Sequence, residues 1–346
     1  MERIIFHIDA DAFFASCEEI LNNELRFVPF AVAGERKKAI ISTCNYMARK
    51  YGVRAAMNTS EAKLLCPNIV FVPPKHHLYN EISNKFFNCL IYEFTNEVEI
   101  YSVDECFVDV TSILPKFHNN PTLLAIEIQK FIFHKLGLNV SIGISTTKFL
   151  AKMATDFNKP KGVSTLWKNE IPDKLDPLNV KEIVGIGKST IPKLEKNGIH
   201  TIKDMKKIEN QDILKDIFMN QYSAIMNKIN GESNDFVDTS TQYPKSLGKS
   251  LTLPHSEIHL DAILKIFDDI SYQLEKEISS YKMFAKNLTI TIKYADFKMK
   301  TKSKTVSSKL ITSHQIYELA KELFFETWNE QEVRLLGIAL SKLDFI

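Results

Sequence analysis

The sequence has few cysteines, and none of them is spaced for pairing or for metal binding. Five cysteines are scattered over 346 residues, and no two of them form a CxxC pair. An odd, scattered set of this kind excludes a disulfide framework and a zinc site of the usual spacing, and it indicates a reducing compartment. We therefore predict small core cysteines in a cytoplasmic protein.

Long apolar runs are also absent from the sequence. No segment reaches the ~20 apolar residues that a membrane-spanning helix needs. The acidic residues Glu2, Asp9 and Asp11 make the N-terminus unlike a signal peptide. We expect no membrane partner.

An excess of charge of one sign is missing too, since the formal net charge is only +2. The total therefore excludes neither nucleic acids nor acidic partners. The apolar fraction of 45% is typical of a soluble globular protein. A chain of 346 residues is too long for one ordinary core, and about two to four domains are expected.

Carboxylates follow or interrupt two predicted strands. The apolar segment 3–8 ends at Asp9, and the segment 101–110 predicts two short strands that meet at a turn carrying Asp104 and Glu105. An isolated Asp-Glu pair is more often a solvated hairpin tip. Carboxylates at the ends of two core strands are, however, the ligands that Mg²⁺ takes together with substrate phosphates. Two such ions, about 3.5–4 Å apart, can clamp both oxygens of a phosphoryl transfer.

A second set of polar side chains recurs at steps of three. Ser42 and Thr43 predict the start of a helix that would carry Thr43, Tyr46 and Arg49 within one arc. A hydroxyl, a phenol and a guanidinium on one face suit a bound phosphate. An ordinary surface face with one packed tyrosine is the equally simple alternative.

Three blocks of this sequence resemble the signature blocks of Y-family translesion DNA polymerases, and most of all the bacterial DNA polymerase IV branch. The blocks are residues 9–15 (DADAFFA), 42–53 (STCNYMARKYGV) and 101–105 (YSVDE). The resemblance implies an α+β multidomain chain with the right-hand polymerase architecture. It implies a palm with a ferredoxin-like sheet (1–10 and 77–166), fingers (11–76), a helical thumb (167–232), a linker (233–244) and an α/β little finger (245–346).

The resemblance also implies roles for individual residues. Metal-binding and catalytic carboxylates are Asp9, Asp104 and Glu105, with the carbonyl of Ala10 as a further ligand. The nucleotide-binding residues are Phe13, Phe14, Thr43, Tyr46, Arg49 and Lys159, of which Phe14 is the steric gate against a 2′-hydroxyl. Asp11 and Asp109 are expected to be structural.

The segment 184–190 (VGIGKST) invites a P-loop interpretation, which fails because the position five before Gly187 is Glu182 rather than glycine. The segment fits a helix-hairpin-helix motif, in which glycines let backbone N–H groups approach a DNA phosphate. Gly185, Gly187 and Lys188 are therefore predicted DNA contacts. An ordinary helix turn is the alternative.

The C-terminal region is predicted to alternate as strand, helix, two strands, helix and strand. Residues 282–309 contain eight lysines and one acid, Asp296. Lys298, Lys300, Lys302 and Lys304 alternate, so on a strand they form one row that could follow a phosphate backbone. We predict DNA contacts for the first three. Lysines that protect a sheet edge from aggregation are the alternative.

The function implied by the resemblance is template-directed transfer of nucleotides from dNTPs to a primer, with two Mg²⁺ ions for which Mn²⁺ is the expected substitute. The small residues Gly34, Ser42 and Ala56, above the nascent base pair in the family, imply low fidelity and bypass of damage. No exonuclease motif occurs, so proofreading is not expected. Primer-template DNA is the expected partner, family precedent alone suggests a sliding clamp, and a monomer is expected. A catalytically idle DNA-binding protein and a palm-type nucleotide cyclase remain as alternatives.

Overall fold

The computed structural model describes residues 2–35, 39–233, 236–240 and 243–346. They form two compact units, residues 1–240 and 241–346. Parts of the predicted linker, residues 234–235 and 241–242, lie outside the described residues. No helix in the described part of the chain combines the length and the apolar character that a membrane crossing requires.

The first unit alternates strands and helices in its N-terminal part and is helical in its C-terminal part. Its strands are β1 (Ile5–Ala10), β2 (Phe30–Ala33), β3 (Ile41–Cys44), β4 (Val70–Val72), β5 (Val98–Ile100), β6 (Glu105–Asp109), β7 (Val140–Ser145) and β8 (Val163–Thr165). Its α-helices are α1 (Phe13–Leu21), α2 (Tyr46–Lys50), α3 (Thr59–Leu65), α4 (His76–Glu93), α5 (Pro121–Leu136), α6 (Lys148–Thr155), α7 (Ile191–Lys196), α8 (Ile202–Met205), α9 (Gln211–Phe218) and α10 (Tyr222–Ile229).

The central sheet of this unit has the strand order β5-β6-β1-β7-β8. Strand β1 lies in the middle and is antiparallel to both β6 and β7. Because side chains alternate along a strand, Phe6 and Ile8 pack into the main core with α4 and α5. Ile5 lies on the other face, in a small cluster with Phe107 of β6 and Ala151 of α6. A central strand covered on both faces is held rigidly, which suits a strand that ends in a site.

Helix α6 can lie close to β7 only because position 143 is glycine. A Cβ on Gly143 would lie 2.0 Å from the carbonyl oxygen of Ala151 and 2.5 Å from the backbone nitrogen of Thr155. Both are backbone atoms of the helix, so the whole helix would have to move. Overpacking of this kind is strongly destabilising.

We therefore expect Gly143→Ala to lower the free energy of unfolding by about 3 kcal/mol. Urea unfolding of the variant, followed by the change in its midpoint, measures the loss. Gly34→Ala is the matched control, because an added Cβ there meets only the Cβ of Ala39 at 3.8 Å. Equal midpoints for the two variants would contradict the close helix–strand contact.

A smaller sheet of order β3-β2-β4 lies beside α2 and α3. Here the predicted helix start is wrong: Thr43 belongs to strand β3, and α2 begins at Tyr46. The cap is Asn45, whose Oδ1 accepts from the N–H of Ala48 at 3.0 Å and from the N–H of Phe30 at 3.2 Å. One buried amide thus joins the start of α2 to the start of β2. The helix therefore begins at Tyr46, three residues after the predicted Thr43.

The second unit contains β9 (Ser246–Glu257), α11 (Leu260–Ser280), β10 (Met283–Tyr294), β11 (Met299–Leu310), α12 (Ser313–Thr327), β12 (Val333–Ser341) and β13 (Asp344–Phe345). The antiparallel sheet has the order β11-β10-β12-β9, and β13 pairs with β10. Both helices pack on one face, where Phe267 of α11 meets Phe324 of α12 with ring centroids 5.5 Å apart. The predicted succession of strands and helices is confirmed, and so is the α+β multidomain class.

Candidate active site

Two predicted carboxylates meet where β1 ends and β6 begins. Asp9 is paired with Glu105 in the ladder, and the N–H of Ala10 donates to the carbonyl oxygen of Asp104 at 2.9 Å. A cleft of about 200 Å³ opens at this point. Its lining residues are Asp9, Ala10, Ala12, Phe13, Phe14, Ser42, Thr43, Tyr46, Arg49, Asp104 and Lys159. The structure thus brings together residues that are up to 150 positions apart.

Asp9 is paired with Lys159 across the cleft, with 3.0 Å between Oδ2 and Nζ. Burial raises the pKa of Asp9 to about 6, although Lys159 acts in the opposite direction. For Lys159, burial opposes the charged form, but Asp9 and Asp156 outweigh burial and raise its pKa. The pair therefore places a charged ammonium group beside a carboxylate that takes up a proton at a higher pH than an ordinary aspartate does.

Asp104 points into the same cleft and is oriented by its neighbour Ser102, whose hydroxyl donates to Oδ1 at 2.6 Å. The second oxygen of Asp104 receives no bond from Ser102. Sequence reasoning overlooked this serine, although it lies in the quoted block 101–105.

Glu105 shares the sheet face of Asp9, its partner in the ladder, but it differs from the other two carboxylates because a histidine and a lysine hold its side chain. Its Oε2 lies 3.0 Å from Nε2 of His7 and also accepts from Lys152. Burial alone would raise the pKa of Glu105, but these two hydrogen bonds outweigh it and lower the pKa to about 2. Glu105 does not line the cleft, so its predicted role as a metal ligand stays a prediction.

His7 and Lys152 are the partners that sequence reasoning missed. Burial lowers the pKa of His7, and the neutral tautomer with its proton on Nε2 donates to Glu105. Nδ1 of His7 lies 2.8 Å from the hydroxyl of Thr155. A period of two along β1 places His7 on the face of Asp9 and could have revealed it. Nothing in the sequence places Lys152 of α6 beside Glu105.

The phosphate-binding candidates lie on β3 and α2. Thr43, Tyr46 and Arg49 all line the cleft. The guanidinium carbon of Arg49 lies 4.7 Å from the ring centroid of Tyr46. Burial, followed by the charge of Asp11, raises the pKa of Tyr46 to about 12, so the phenol keeps its proton near pH 7 and can donate.

Phe14 is held against Tyr79 of α4, with ring centroids 4.7 Å apart and an interplanar angle of 19°. Tyr79 is fixed in turn by Glu18, whose Oε1 accepts from the phenol at 2.6 Å. The second oxygen of Glu18 accepts from Lys75 at 2.5 Å. The neighbouring Phe13 is only 3% exposed and packs mainly in the core. The ring of Phe14 is therefore a rigid wall of the cleft.

Asp11 and Asp109 are engaged in structural contacts, as predicted. Asp11 accepts from the hydroxyl of Ser141 and from the N–H of Lys161, both at 2.8 Å. Asp109 lies 3.5 Å from Nε of Arg3 and accepts from the N–H of Thr111 at 3.0 Å. Neither carboxylate lines the cleft.

The predicted hairpin lies between a 3₁₀ turn at Val180–Glu182 and helix α7. Gly185 has φ = +99°, a conformation that favours glycine. Gly185, Gly187 and Lys188 are exposed, whereas Ile186 between the glycines is buried. The backbone of the turn therefore faces solvent while one apolar side chain anchors it.

The row of lysines on β11 lies on the face of the sheet that the two helices cover. Lys300 and Lys302 pair with Ile292 and Ile290 in the ladder. Their side chains therefore point to the face that the helices cover. Nζ of Lys302 lies 3.5 Å from Glu326, and Lys304 lies 2.5 Å from Glu322.

Lys298 precedes β11 and is paired with Asp296 at 2.9 Å, so its predicted place in the strand row is wrong. The uncovered face of the sheet presents hydroxyl groups of Thr289, Ser303, Thr291 and Thr301. The strand register, which the sequence did not reveal, decides that the lysines lie on the covered face and the hydroxyl groups on the uncovered face.

The chain also resembles known protein families and solved structures. Three family models match the chain: the impB/mucB/samB family at residues 8–156, the IMS family HHH motif at 168–199, and the impB/mucB/samB C-terminal domain at 244–345. The hairpin predicted at 184–190 lies inside the second match.

Curated relatives resemble the chain over nearly its whole length. A DNA polymerase IV of Ureaplasma parvum serovar 3 is 36% identical over 99% of this chain and 95% of that relative. A DNA polymerase IV of Bacillus velezensis is 39% identical over 99% of this chain and 82% of that relative.

Solved structures of similar folds include a Y-family DNA polymerase chimera of Dbh and Dpo4, with a TM-score of 0.87 and 26% identity over 99% of this chain and 100% of that one. An insertion ternary complex of Dbh DNA polymerase has a TM-score of 0.69 and 27% identity over the same shares. Full-length identity above 35%, together with the family matches, leads to one conclusion: this chain belongs to the impB/mucB/samB family of Y-family DNA polymerases.

Proposed function

We propose that this chain is a template-directed DNA polymerase of low fidelity that extends primers across damaged templates, using dNTPs and without proofreading. The observation that carries the proposal is the cleft in which Asp9 and Asp104 face Thr43, Tyr46, Arg49 and Lys159 across the ring of Phe14. Two carboxylates, together with two hydroxyl groups and two cations, suit a nucleoside triphosphate with bound divalent cations.

Asp9 and Asp104 would hold the divalent cations, with the carbonyl of Ala10 and, after release from Lys152, the carboxylate of Glu105. The described residues contain no ready group of three acidic, imidazole or thiol ligands. Two carboxylates nonetheless fit Mg²⁺, which takes one or two carboxylates and completes its shell with waters and substrate phosphates. Two bound Mg²⁺ ions, or Mn²⁺ in their place, would supply Lewis acidity at the reacting phosphate and its hydroxyl.

The residues of the chain position the triphosphate. Lys159 and Arg49 are cations that neutralise the phosphate oxygens, and the protonated phenol of Tyr46 donates a hydrogen bond. Thr43 adds a hydroxyl from the end of β3. Held in this way, the α-phosphate faces the end of β1, where the 3′-hydroxyl of a primer would attack and pyrophosphate would leave.

The expected subdivision remains a palm (1–10 and 77–166), fingers (11–76), a thumb (167–232), a linker (233–244) and a little finger (245–346). The small sheet has an apolar core that lies entirely within the proposed fingers. The core of the helices after residue 166 also includes side chains of α6, so the proposed palm and thumb share that core. The second unit has a core of its own.

Primer-template DNA is the proposed partner, with contacts at Gly185, Gly187 and Lys188 and on the C-terminal unit. A sliding clamp, a monomeric state and a cytoplasmic location are proposed from the family and from the five free cysteines.

The lysine row gives a differential prediction. We expect Lys300→Gln to reduce the salt slope of DNA binding by about one, as for a lysine that neutralises one phosphate. Lys302→Gln should change the slope less, because Glu326 at 3.5 Å already holds part of that charge. Fluorescence anisotropy across a salt series measures both. Lys265→Gln on the exposed side of α11 is the control, and unchanged slopes in all three variants would favour edge protection.

The proposed function is tested by primer extension with Mg²⁺ on undamaged and lesion-bearing templates. Incorporation that follows the template and continues past a lesion is the expected result. A product formed without a template would indicate a nucleotide cyclase or a terminal transferase instead. DNA binding without any primer extension would indicate a catalytically inactive DNA-binding protein.

A further inference from the structure

Asp11 is a buried carboxylate next to the active-site cleft, and only 3% of its surface is exposed. Its Oδ1 accepts from the hydroxyl of Ser141 at 2.8 Å, and its Oδ2 accepts from the backbone N–H of Lys161 at 2.8 Å. A third and longer contact, at 3.4 Å, runs from the phenol of Tyr46 to Oδ1. A buried carboxylate is costly without such donors, so the carboxylate and its donors fix one another.

The main chain of Asp11 is held independently of its side chain. Its N–H donates to the carbonyl oxygen of Asn139 at 2.9 Å, and its carbonyl oxygen accepts from the hydroxyl of Ser16 at 2.6 Å. Loss of the carboxylate would therefore release its three donors while these main-chain bonds remain. The side chain and the main chain of Asp11 thus have separate roles.

The backbone donor belongs to the turn that carries Lys159. Lys161 has φ = +60°, a conformation that is uncommon outside glycine and that persists only where the surroundings enforce it. In the described part of the chain, the bond to Asp11 is the one side-chain hydrogen bond to the backbone of residues 159–161. The carboxylate therefore holds this turn in a conformation that a lysine does not favour by itself.

Lys159 reaches the active-site cleft from this turn. Its Nζ lies 3.0 Å from Asp9 and 2.9 Å from Asp156. These ion pairs hold the end of a flexible four-carbon side chain, whereas Asp11 holds the backbone from which that side chain starts. We propose that Asp11 is a positioning residue for the triphosphate: it fixes the turn 159–161 and so keeps the ammonium group of Lys159 in the cleft. This inference rests on the proposed polymerase function.

Tyr46 is the other route by which Asp11 would act on the triphosphate. Its phenol has one proton, which it donates either to Asp11 or to a phosphate. At 3.4 Å the bond to Asp11 is long for a hydroxyl donor, and it is given up when the phenol turns to a phosphate. The two shorter bonds go to Ser141 and to the turn, so the geometry favours the turn.

The test compares Asp11→Ala with the wild-type chain in single-nucleotide incorporation over a range of dNTP concentrations. We expect KM for dNTP to rise about tenfold and kcat to stay within about threefold, because a contact that is equally strong in the bound substrate and the transition state acts on KM. Ser141→Ala is the matched control. It removes the other 2.8 Å bond of Asp11 and leaves the turn in place, so KM should stay within about twofold.

Asp11→Asn provides a second variant of the same shape, which is measured also if Asp11→Ala does not fold. Its amide has one acceptor oxygen instead of two, so it can keep the bond to Lys161 or the bonds to the hydroxyl groups, but not all of them. We expect KM to rise about threefold in this variant.

Double mutants identify the route. In a Lys159→Gln background, Asp11→Ala should change KM by less than about twofold, because the ammonium group that it positions is gone. In a Tyr46→Phe background, the same substitution should still raise KM about tenfold. A full effect of Asp11→Ala in the Lys159→Gln background would overturn the proposal.

Further readouts separate the remaining alternatives. A lower midpoint of urea unfolding with an unchanged KM would mean that Asp11 only stabilises the fold, which overturns the proposal. A fall in kcat at constant KM would place Asp11 in the chemical step and overturns it too. If the wild-type chain incorporates dNTPs and Asp11→Ala keeps its KM, only this inference fails. If the wild-type chain incorporates none, the proposed function fails first.

Discussion

Replacing Asp104 with asparagine should lower kcat for primer extension by about a thousandfold, since loss of several kcal/mol of charge stabilisation has that effect. Asparagine keeps the shape of the side chain and can still accept from Ser102, which donates to Asp104 at 2.6 Å. What it removes is the negative charge beside Asp9. Single-turnover extension with Mg²⁺ measures the loss.

The matched control is Asp109→Asn, at the other end of β6. Asp109 is bonded to Arg3 and Thr111 and does not line the cleft, so kcat should stay within about threefold of the wild type. DNA affinity should change little in either variant, because neither carboxylate contacts the proposed DNA surfaces. Normal extension by Asp104→Asn would remove the assignment of the site.

Replacing Phe14 with valine should reduce the preference for dNTP over rNTP by about a hundredfold or more. A side chain that rejects an rNTP by leaving no space for its 2′-hydroxyl can do so only if the side chain cannot move aside. The ring of Phe14 is rigid because it stacks on Tyr79, which Glu18 holds by a 2.6 Å hydrogen bond. Valine lacks the ring, so the space beneath the sugar would open.

The ratio of kcat/KM for dATP and ATP measures this effect. Phe14→Tyr keeps the ring and is the control, for which discrimination should remain. Sugar selection that survives Phe14→Val would place the gate elsewhere in the cleft.

Local patterns predicted much of the fold. Helix α5 (Pro121–Leu136) begins and ends at local signals that can be read from the sequence, since Asn120 caps it and Gly137 ends it with φ = +72°. The order of strands and helices in the second unit also follows from alternation and helical spacing. The start of α2 was missed because Asn45 bonds to Phe30, a partner that is 15 residues away.

For the site, local patterns predicted that Asp9 follows an apolar strand and that Asp104 lies at a turn between two strands, because neighbouring residues set such features. The roles of Phe14 and of the phosphate-binding side chains came from the resemblance to the polymerase family.

The folded chain alone shows that Lys152 and His7 hold Glu105, and that Lys300 and Lys302 point to the helix-covered face. Each of these depends on pairing or packing between distant segments. A shift of one residue in a ladder would move each of these side chains to the opposite face of its sheet, and a shift of one turn in a helix would separate the contacting residues. Such relations have no signature in the order of residues along the chain.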